Sequence, residues 1–305
     1  MPKNNLDFIR TTLALGVLLF HTSQFVRISY PQLPWVAAFI AISGYLVTDS
    51  MFRSRGYGHF AWKRLLRIGP AFLLSFVLVA ATGRSIWGPL ADWYCMGLCF
   101  GGGNPPLWSL SVEELLYLCL AICFALGMYS TPRRALFCLC TIYLLAVTGG
   151  RYLPHAGLPI FSVSVAFVSG SLLYVARDRV PWSALAGAVC MVLVLRIHNA
   201  GPFVEVVHDL LIGPLIAYGL LALGLHAKPV FYRYKSLVGD PSLGIYVYHF
   251  PILLWLYESQ EIRGMWLYPA CLVLTLVVAL ISWHLVEKRV LRMKDLRPRM
   301  QQTSN

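Results

Sequence analysis

Charge is what this sequence has least of. Only 12% of its 305 residues are Asp, Glu, Lys or Arg, about half the share found in soluble domains, and the acids number just 13. With 58% hydrophobic residues and a mean hydropathy of +0.66, that scarcity excludes a water-soluble globular chain and implies an integral membrane protein. Also lacking are a His-Glu-x-x-His pair, a spaced His/Asp set, a Walker loop and a Gly-x-Ser-x-Gly elbow. Metal-dependent and nucleotide-hydrolysing chemistry therefore have nothing to stand on. No repeat, linker or low-complexity stretch divides the chain, so the expectation is one membrane domain over residues 1–292. A short basic cytoplasmic tail, 293–305, is suited to anionic headgroups. Of the eight cysteines, most fall inside apolar runs and act as small hydrophobes. Cys95 and Cys99, in "WYCMGLCFGGG", are the two placed to pair in an oxidising compartment.

What is present is a series of apolar runs long enough to span a bilayer. There are ten, at 9–27, 33–52, 66–82, 107–128, 134–149, 159–176, 182–197, 204–225, 237–257 and 266–286. The net charge of +12 would suit a nucleic-acid partner, but its placement argues for membrane instead. With the N-terminus in the cytoplasm, 20 of the Lys and Arg residues fall in cytoplasmic turns and 5 on the other side, as the positive-inside rule requires. The predicted fold is thus an all-α bundle of about ten transmembrane helices with both termini cytoplasmic. The first ten residues superficially resemble a signal peptide, but no small-residue cleavage site follows His21, so a retained first span is expected. The long external connection 83–107, apolar and rich in glycine and proline, suggests a segment dipping back against the bundle.

Ionisable groups inside spans are site candidates by default. Arg10 and His21 stand eleven positions apart, which is three helical turns plus about 20°, so they share a face and lie about 16 Å apart along the axis. Taken singly, Arg10 reads as a snorkelling anchor and His21 as an interhelical polar contact. Together they line one wall at opposite depths. In "KRLLR" (63–67), Arg64 and Arg67 share a face and offer two forked donors beside Lys63. They are either positive-inside flanking or, joined to Arg10, a cationic pocket for a polyanionic cytosolic ligand. In "NPPLWSLSVEELLYL" (104–118), Trp108, Ser109, Ser111, Glu113 and Glu114 crowd the first turns of one run. One glutamate could cap the helix. The pair with Trp108, expected at the depth of His21, reads more like a site, and Trp108 suits either an interfacial belt or a sugar face. His249, beside Pro251 in "IYVYHFPILLW", is a site-lining candidate or a contact at a kink. Glu287, next to Lys288 and Arg289, is expected in an ion-pair cluster at the cytoplasmic end.

These residues together resemble acyltransferase family 3. Arg10 to His21 is similar to its Arg-x10-His signature and Arg64 to Arg67 to its Arg-x-x-Arg signature. The segments "AISGYLVT", "LWSLSVEE", "LGIYVYHFPI" and "LVEKRV" follow in register. The resemblance covers residues 5 to about 292. It implies a protein of the bacterial inner membrane that transfers an acyl group, usually acetyl, from cytosolic acyl-CoA to a sugar hydroxyl across the bilayer. The acceptor would be an exported polysaccharide or a lipid-linked glycan. The implied catalytic residues are His21, Glu113 and Ser111. Acyl-CoA would be held by Arg10, Arg64, Arg67 and Lys63, with acetyl-CoA a co-substrate and no permanent cofactor. Trp108, Ser109, Glu114 and His249 would line the acceptor side. Two departures bear on acceptor contacts: Ala37 stands where the family often has an acid, and Leu115-Leu116 where it has Gln-Phe.

On this reading the CoA head sits on the arginines and its arm threads beside the first helix to His21. His21 takes the proton of the attacking hydroxyl while Glu113 orients the ring; a covalent acyl-histidine is equally open. A proton-coupled carrier or flippase is the competing class, and a non-catalytic scaffold of an export complex a third. The absence of an internal repeat weighs against the carrier. Membrane lipid is an expected partner, nucleic acid is not, and homo-oligomerisation is left open.

Overall fold

The computed structural model describes residues 4–31, 33–94, 103–152, 159–198 and 205–295. Cys95, Cys99 and most of the basic tail lie outside them. Among the described residues every regular element is helical: α1 (Leu6–Val26), α2 (Trp35–Phe52), α3 (Tyr57–Ala81), α4 (Trp87–Tyr94), α5 (Leu107–Ala125), α6 (Pro132–Tyr152) and α7 (Pro159–Val175). They continue with α8 (Ala184–His198), α9 (Glu205–Leu221), the one-turn α10 (Tyr234–Leu237), α11 (Ser242–Leu254), α12 (Leu267–Ser282) and the short α13 (Lys288–Leu291). Helices occupy all ten apolar runs, because a backbone in lipid must satisfy its own hydrogen bonds. Four stretches, Trp35–Phe52, Tyr57–Ala81, Leu107–Ala125 and Gly264–Lys294, are long and apolar enough to cross a membrane by length and composition. The long connection between α3 and α5 adds α4, whose buried Asp92 accepts from the backbone N–H groups of Gly103 (3.0 Å) and Asn104 (2.6 Å). This ties the far side of the loop back to the bundle.

Helix α1 lies between two apolar clusters. Ala14, Val17 and Leu18 join one with α3, α5, α11 and α12, and Leu6 and Leu13 join the other with α2 and α9. Outward-facing Leu65, Leu73 and Val77 on α3 and Val273 and Ile281 on α12 are largely exposed, which suits contact with lipid chains. The tightest seam is between α2 and α7. A Cβ on Gly44 would sit 2.1 Å from the carbonyl oxygen of Phe167, and one on Gly170 2.1 Å from that of Ala41. Small residues let two helices approach this closely, and Thr48 Oγ1 donates to Ser171 Oγ across the seam at 2.9 Å.

Prolines inside helices free the carbonyl four residues earlier, and here side chains recapture two of them. Pro251 in α11 frees Val247 O, which accepts from Asn104 Nδ2 at 2.8 Å. Pro214 in α9 frees Leu210 O, which accepts from the Tyr143 hydroxyl. The first of these pins the entry to α5 against α11, two residues before His249.

Candidate active site

Helix α1 meets the turn before α11 at one pole of the predicted Arg10–His21 face and α11 itself at the other. At one pole, Arg10 Nη1 of α1 donates to Asp240 Oδ2 at 3.0 Å, and Arg67 Nη2 of α3 donates to the same oxygen at 2.7 Å. Asp240 Oδ1 accepts from Ser242 Oγ at 2.6 Å, so this carboxylate, 5% exposed, joins three elements. Arg67 lies beside the Trp283 ring and Arg10 over that of Phe39. Arg64 diverges from Arg67. It donates to Ser50 Oγ at 3.2 Å, faces the Phe60 and Tyr117 rings, and buries an Nε without a partner among the described residues. Lys63 Nζ donates to the Ser50 carbonyl at 3.1 Å. The four predicted cations thus gather at one end of the bundle, two of them clasping one acid.

At the other pole, His21 Nδ1 lies 2.9 Å from His249 Nε2, and His249 Nδ1 lies 3.1 Å from the carbonyl oxygen of Ile245. His249 is fully buried, whereas His21 keeps part of its surface open. Phe250 meets the His21 ring edge-on, and Phe25 and Tyr257 continue an aromatic rim beyond it. The candidates on α5 lie between the poles. Glu113, 7% exposed, accepts at Oε1 from the Ser43 and Tyr117 hydroxyls, while the ring of His21 meets His249. Ser109 Oγ pairs with Tyr246 Oη at 2.7 Å, and Ser111 Oγ donates to the Trp108 carbonyl in its own turn at 2.8 Å. Trp108 is half-buried against the larger core cluster, and Glu114 is half-buried on the neighbouring face.

A narrow cavity of about 10 Å³, room for about one water, lies between Phe39, Ser109, Glu113 and Tyr246. The ring of Tyr246 stacks on Phe39 at 6.2 Å and approaches His249 at 6.3 Å. A line of side chains, Arg10, Phe39, Tyr246 and His249, therefore runs from the charged pole to the imidazole pole. Chemically, one pole can hold a polyanion and the other can move a proton.

An acyltransferase-domain family model, Acyl_transf_3, matches residues 3–284. The chain belongs to acyltransferase family 3. It is similar to nodulation protein 10 of Rhizobium leguminosarum bv. viciae, 25% identical over an alignment covering 96% of this chain and 94% of that protein. An O-acetyl transferase of Shigella phage Sf6 is also 25% identical, with 84% of each chain covered. The O-acetyltransferase OatA of Staphylococcus aureus strain NCTC 8325 / PS 47 is 22% identical over 92% of this chain, which spans 56% of that protein. No solved structure matches. This family member is accordingly a multi-pass membrane acyltransferase.

Its departures from the family pattern fall away from both poles. Ala37 packs in the second apolar cluster, Leu115 faces outward at 40% exposure, and Leu116 packs against the larger core. One expectation is corrected: Glu287 does not join Lys288 and Arg289. It is 1% exposed and accepts from Ser282 Oγ at 2.9 Å, within a chain that includes Tyr248 Oη, while its two basic neighbours are exposed. Helical spacing turns the side chain of Glu287 inward and those of Lys288 and Arg289 outward. Asp240 and Ser43 escaped the sequence reading. The signal for Asp240 was available: several arginines at one membrane end demand an acid, and "GDPS" supplies one at the mouth of a run.

Proposed function

We propose that this acyltransferase moves an acetyl group from cytosolic acetyl-CoA to a sugar hydroxyl on the far side of a bacterial inner membrane. The acceptor is a polysaccharide or a lipid-linked glycan. The bundle crosses the membrane ten times with both termini in the cytoplasm. One observation carries the reading: the Arg10 guanidinium, joined by those of α3, and the His21 imidazole share one face of α1 about 16 Å apart, and their partners are Asp240, in the turn before α11, and His249, on α11. That span is comparable to the reach of a pantetheine arm. The buried Nε of Arg64, which has no partner among the described residues, with Arg10, Arg67 and Lys63 close by, suits a phosphate-rich head. The relatives named as O-acetyltransferases support acetyl as the group carried.

The phosphates bind the arginine pole and the thioester reaches the imidazole pole. The acceptor oxygen attacks the thioester carbonyl as its proton passes to His21, the carbon–sulfur bond breaks, and the CoA thiolate leaves and is protonated. Glu113, held by Ser43 and Tyr117, lies between the poles, where it bears on the path of the arm.

The test is transfer of label from [14C]acetyl-CoA to glycan by the full-length protein in proteoliposomes. Acceptors are peptidoglycan fragments, O-antigen polysaccharide and chitin oligosaccharides. His21→Ala is expected to abolish incorporation while acetyl-CoA still binds. Arg64→Ala combined with Arg67→Ala is expected to weaken acetyl-CoA binding by at least about tenfold. Undiminished incorporation by the His21 variant overturns the assignment. A carrier would move glycan with no label attached.

A further inference from the structure

The two histidines meet in a way that leaves one choice of protons. A carbonyl oxygen can only accept, so the 3.1 Å contact between His249 Nδ1 and Ile245 O puts the hydrogen on His249 Nδ1. Its Nε2 then carries a lone pair and faces His21 Nδ1 at 2.9 Å, so the hydrogen of that contact belongs to His21 Nδ1. The lone pair of His21 is left on Nε2, the nitrogen turned away from α11.

We propose that His249 is a positioning residue that holds His21 as the Nδ1–H tautomer and thereby aims its Nε2 lone pair at the acceptor hydroxyl. The inference rests on His21 being the base. His249 is itself held rigidly. Its ring is fully buried, its own carbonyl faces Cys271 Sγ at 3.9 Å, and Asn104 grips α11 two residues before it through Val247 O. In Ser-His-Asp enzymes a carboxylate fixes the tautomer. An imidazole does so without placing a net charge inside the membrane. During transfer the hydroxyl proton goes to His21 Nε2 and nothing leaves Nδ1. The Nδ1–H···Nε2 bond becomes charge-assisted as the imidazolium forms, then relaxes when the proton passes to the departing thiolate.

The experiment uses the full chain in lipid nanodiscs with 15N-labelled histidine, His21 being assigned by loss of its signals in His21→Asn. The ring-nitrogen shifts of the neutral wild type should report His21 as Nδ1–H, and His249→Leu, which removes the acceptor, should move it toward Nε2–H. His249→Gln keeps an acceptor near the Nε2 position and should retain the wild-type tautomer. Turnover at saturating acetyl-CoA should fall on the order of 10²- to 10⁴-fold in the leucine variant and stay within about tenfold of wild type in the glutamine variant, with the KM for acetyl-CoA unchanged in both. A wild-type His21 found as Nε2–H overturns the proposal without any variant being made. So does an unchanged tautomer in His249→Leu, which would mean that the carbonyl of Val17, one turn back and also facing the ring, holds the proton alone. The spectra concern only the ring pair, so they fail or succeed independently of acetyl transfer, which His21→Ala tests separately.

Discussion

The two poles of α1 are built from opposite materials. At the arginine pole, full charges meet: Arg10 and Arg67 converge on one oxygen of Asp240, with Arg64 and Lys63 nearby. At the histidine pole the polar atoms are neutral rings and a backbone carbonyl. Burying guanidinium groups is costly unless they are paired, yet pairing them all would leave nothing for a ligand. Asp240 answers the cost for two arginines with one carboxylate and keeps the region cationic. Proton transfer needs an unoccupied lone pair instead, and a ring nitrogen supplies it only if the neighbours fix the tautomer. The difference teaches that affinity and chemistry are separated along one helix, and that α11 and the turn before it supply the completing partners, His249 and Asp240.

Breaking the charged pole should have the larger structural effect. Asp240→Ala leaves Arg10 and Arg67 mostly buried without their shared acid, a change that costs about 3–5 kcal/mol when one partner of a buried pair is removed. It is expected to lower the thermal unfolding midpoint of the detergent-solubilised protein and to raise the KM for acetyl-CoA. Turnover at saturation should change little, because the imidazole pole is untouched. A variant that loses turnover while keeping its KM would show that the poles are not separable.

Much of this architecture was legible in the sequence, for reasons that differ by element. All ten apolar runs became helices because lipid leaves the backbone no other way to satisfy its hydrogen bonds. The shared face of Arg10 and His21 followed from helical geometry alone, and their partners, Asp240 and His249, lie within one stretch of chain, the turn before α11 and α11 itself. The partners themselves were not legible. Asp240 lies 230 residues from Arg10 and His249 lies 228 from His21, and such pairings depend on how helices assemble rather than on any local pattern. For the same reason Arg64 and Arg67, neighbours on one face, reach different elements, α2 and the turn before α11. The partners of Glu113, the Ser43 and Tyr117 hydroxyls, were likewise hidden, the first because it comes from another helix. For Glu287 the charged cluster was legible but its members were not: the inward turn of its side chain sets it toward the charge of Arg67 rather than Lys288 and Arg289.

The histidine pole can be disturbed more gently from the same loop. Asn104 is completely buried, and its amide nitrogen serves the carbonyl that Pro251 leaves open. Asn104→Ala strands that carbonyl, at a cost of about 1–3 kcal/mol, and loosens α11 two residues before His249. The expected result is a modest fall in the unfolding midpoint with a fall in turnover, while the KM for acetyl-CoA stays near wild type. This is the reverse of the pattern for Asp240→Ala. If both variants shift the same kinetic constant, the division between the poles fails.

The smallest effect is expected where the chain departs from its family. Leu115 stands where the family resemblance leads one to expect a glutamine, which invites the idea that acceptor contacts were lost there. Its side chain instead points away from the bundle at 40% exposure, on the face of α5 that carries Leu118 and Ile122, both also exposed. Glu113 and Tyr117 sit inward on the same helix because positions two residues away in either direction fall on roughly the opposite side. Leu115→Ala should therefore leave both KM and turnover within about twofold of wild type, since exposed substitutions away from such contacts change stability by only about 0.5 kcal/mol. A large loss of transfer in labelled-acetyl assays would instead put an acceptor path on the outer face of α5, where the two-pole arrangement has no use for it.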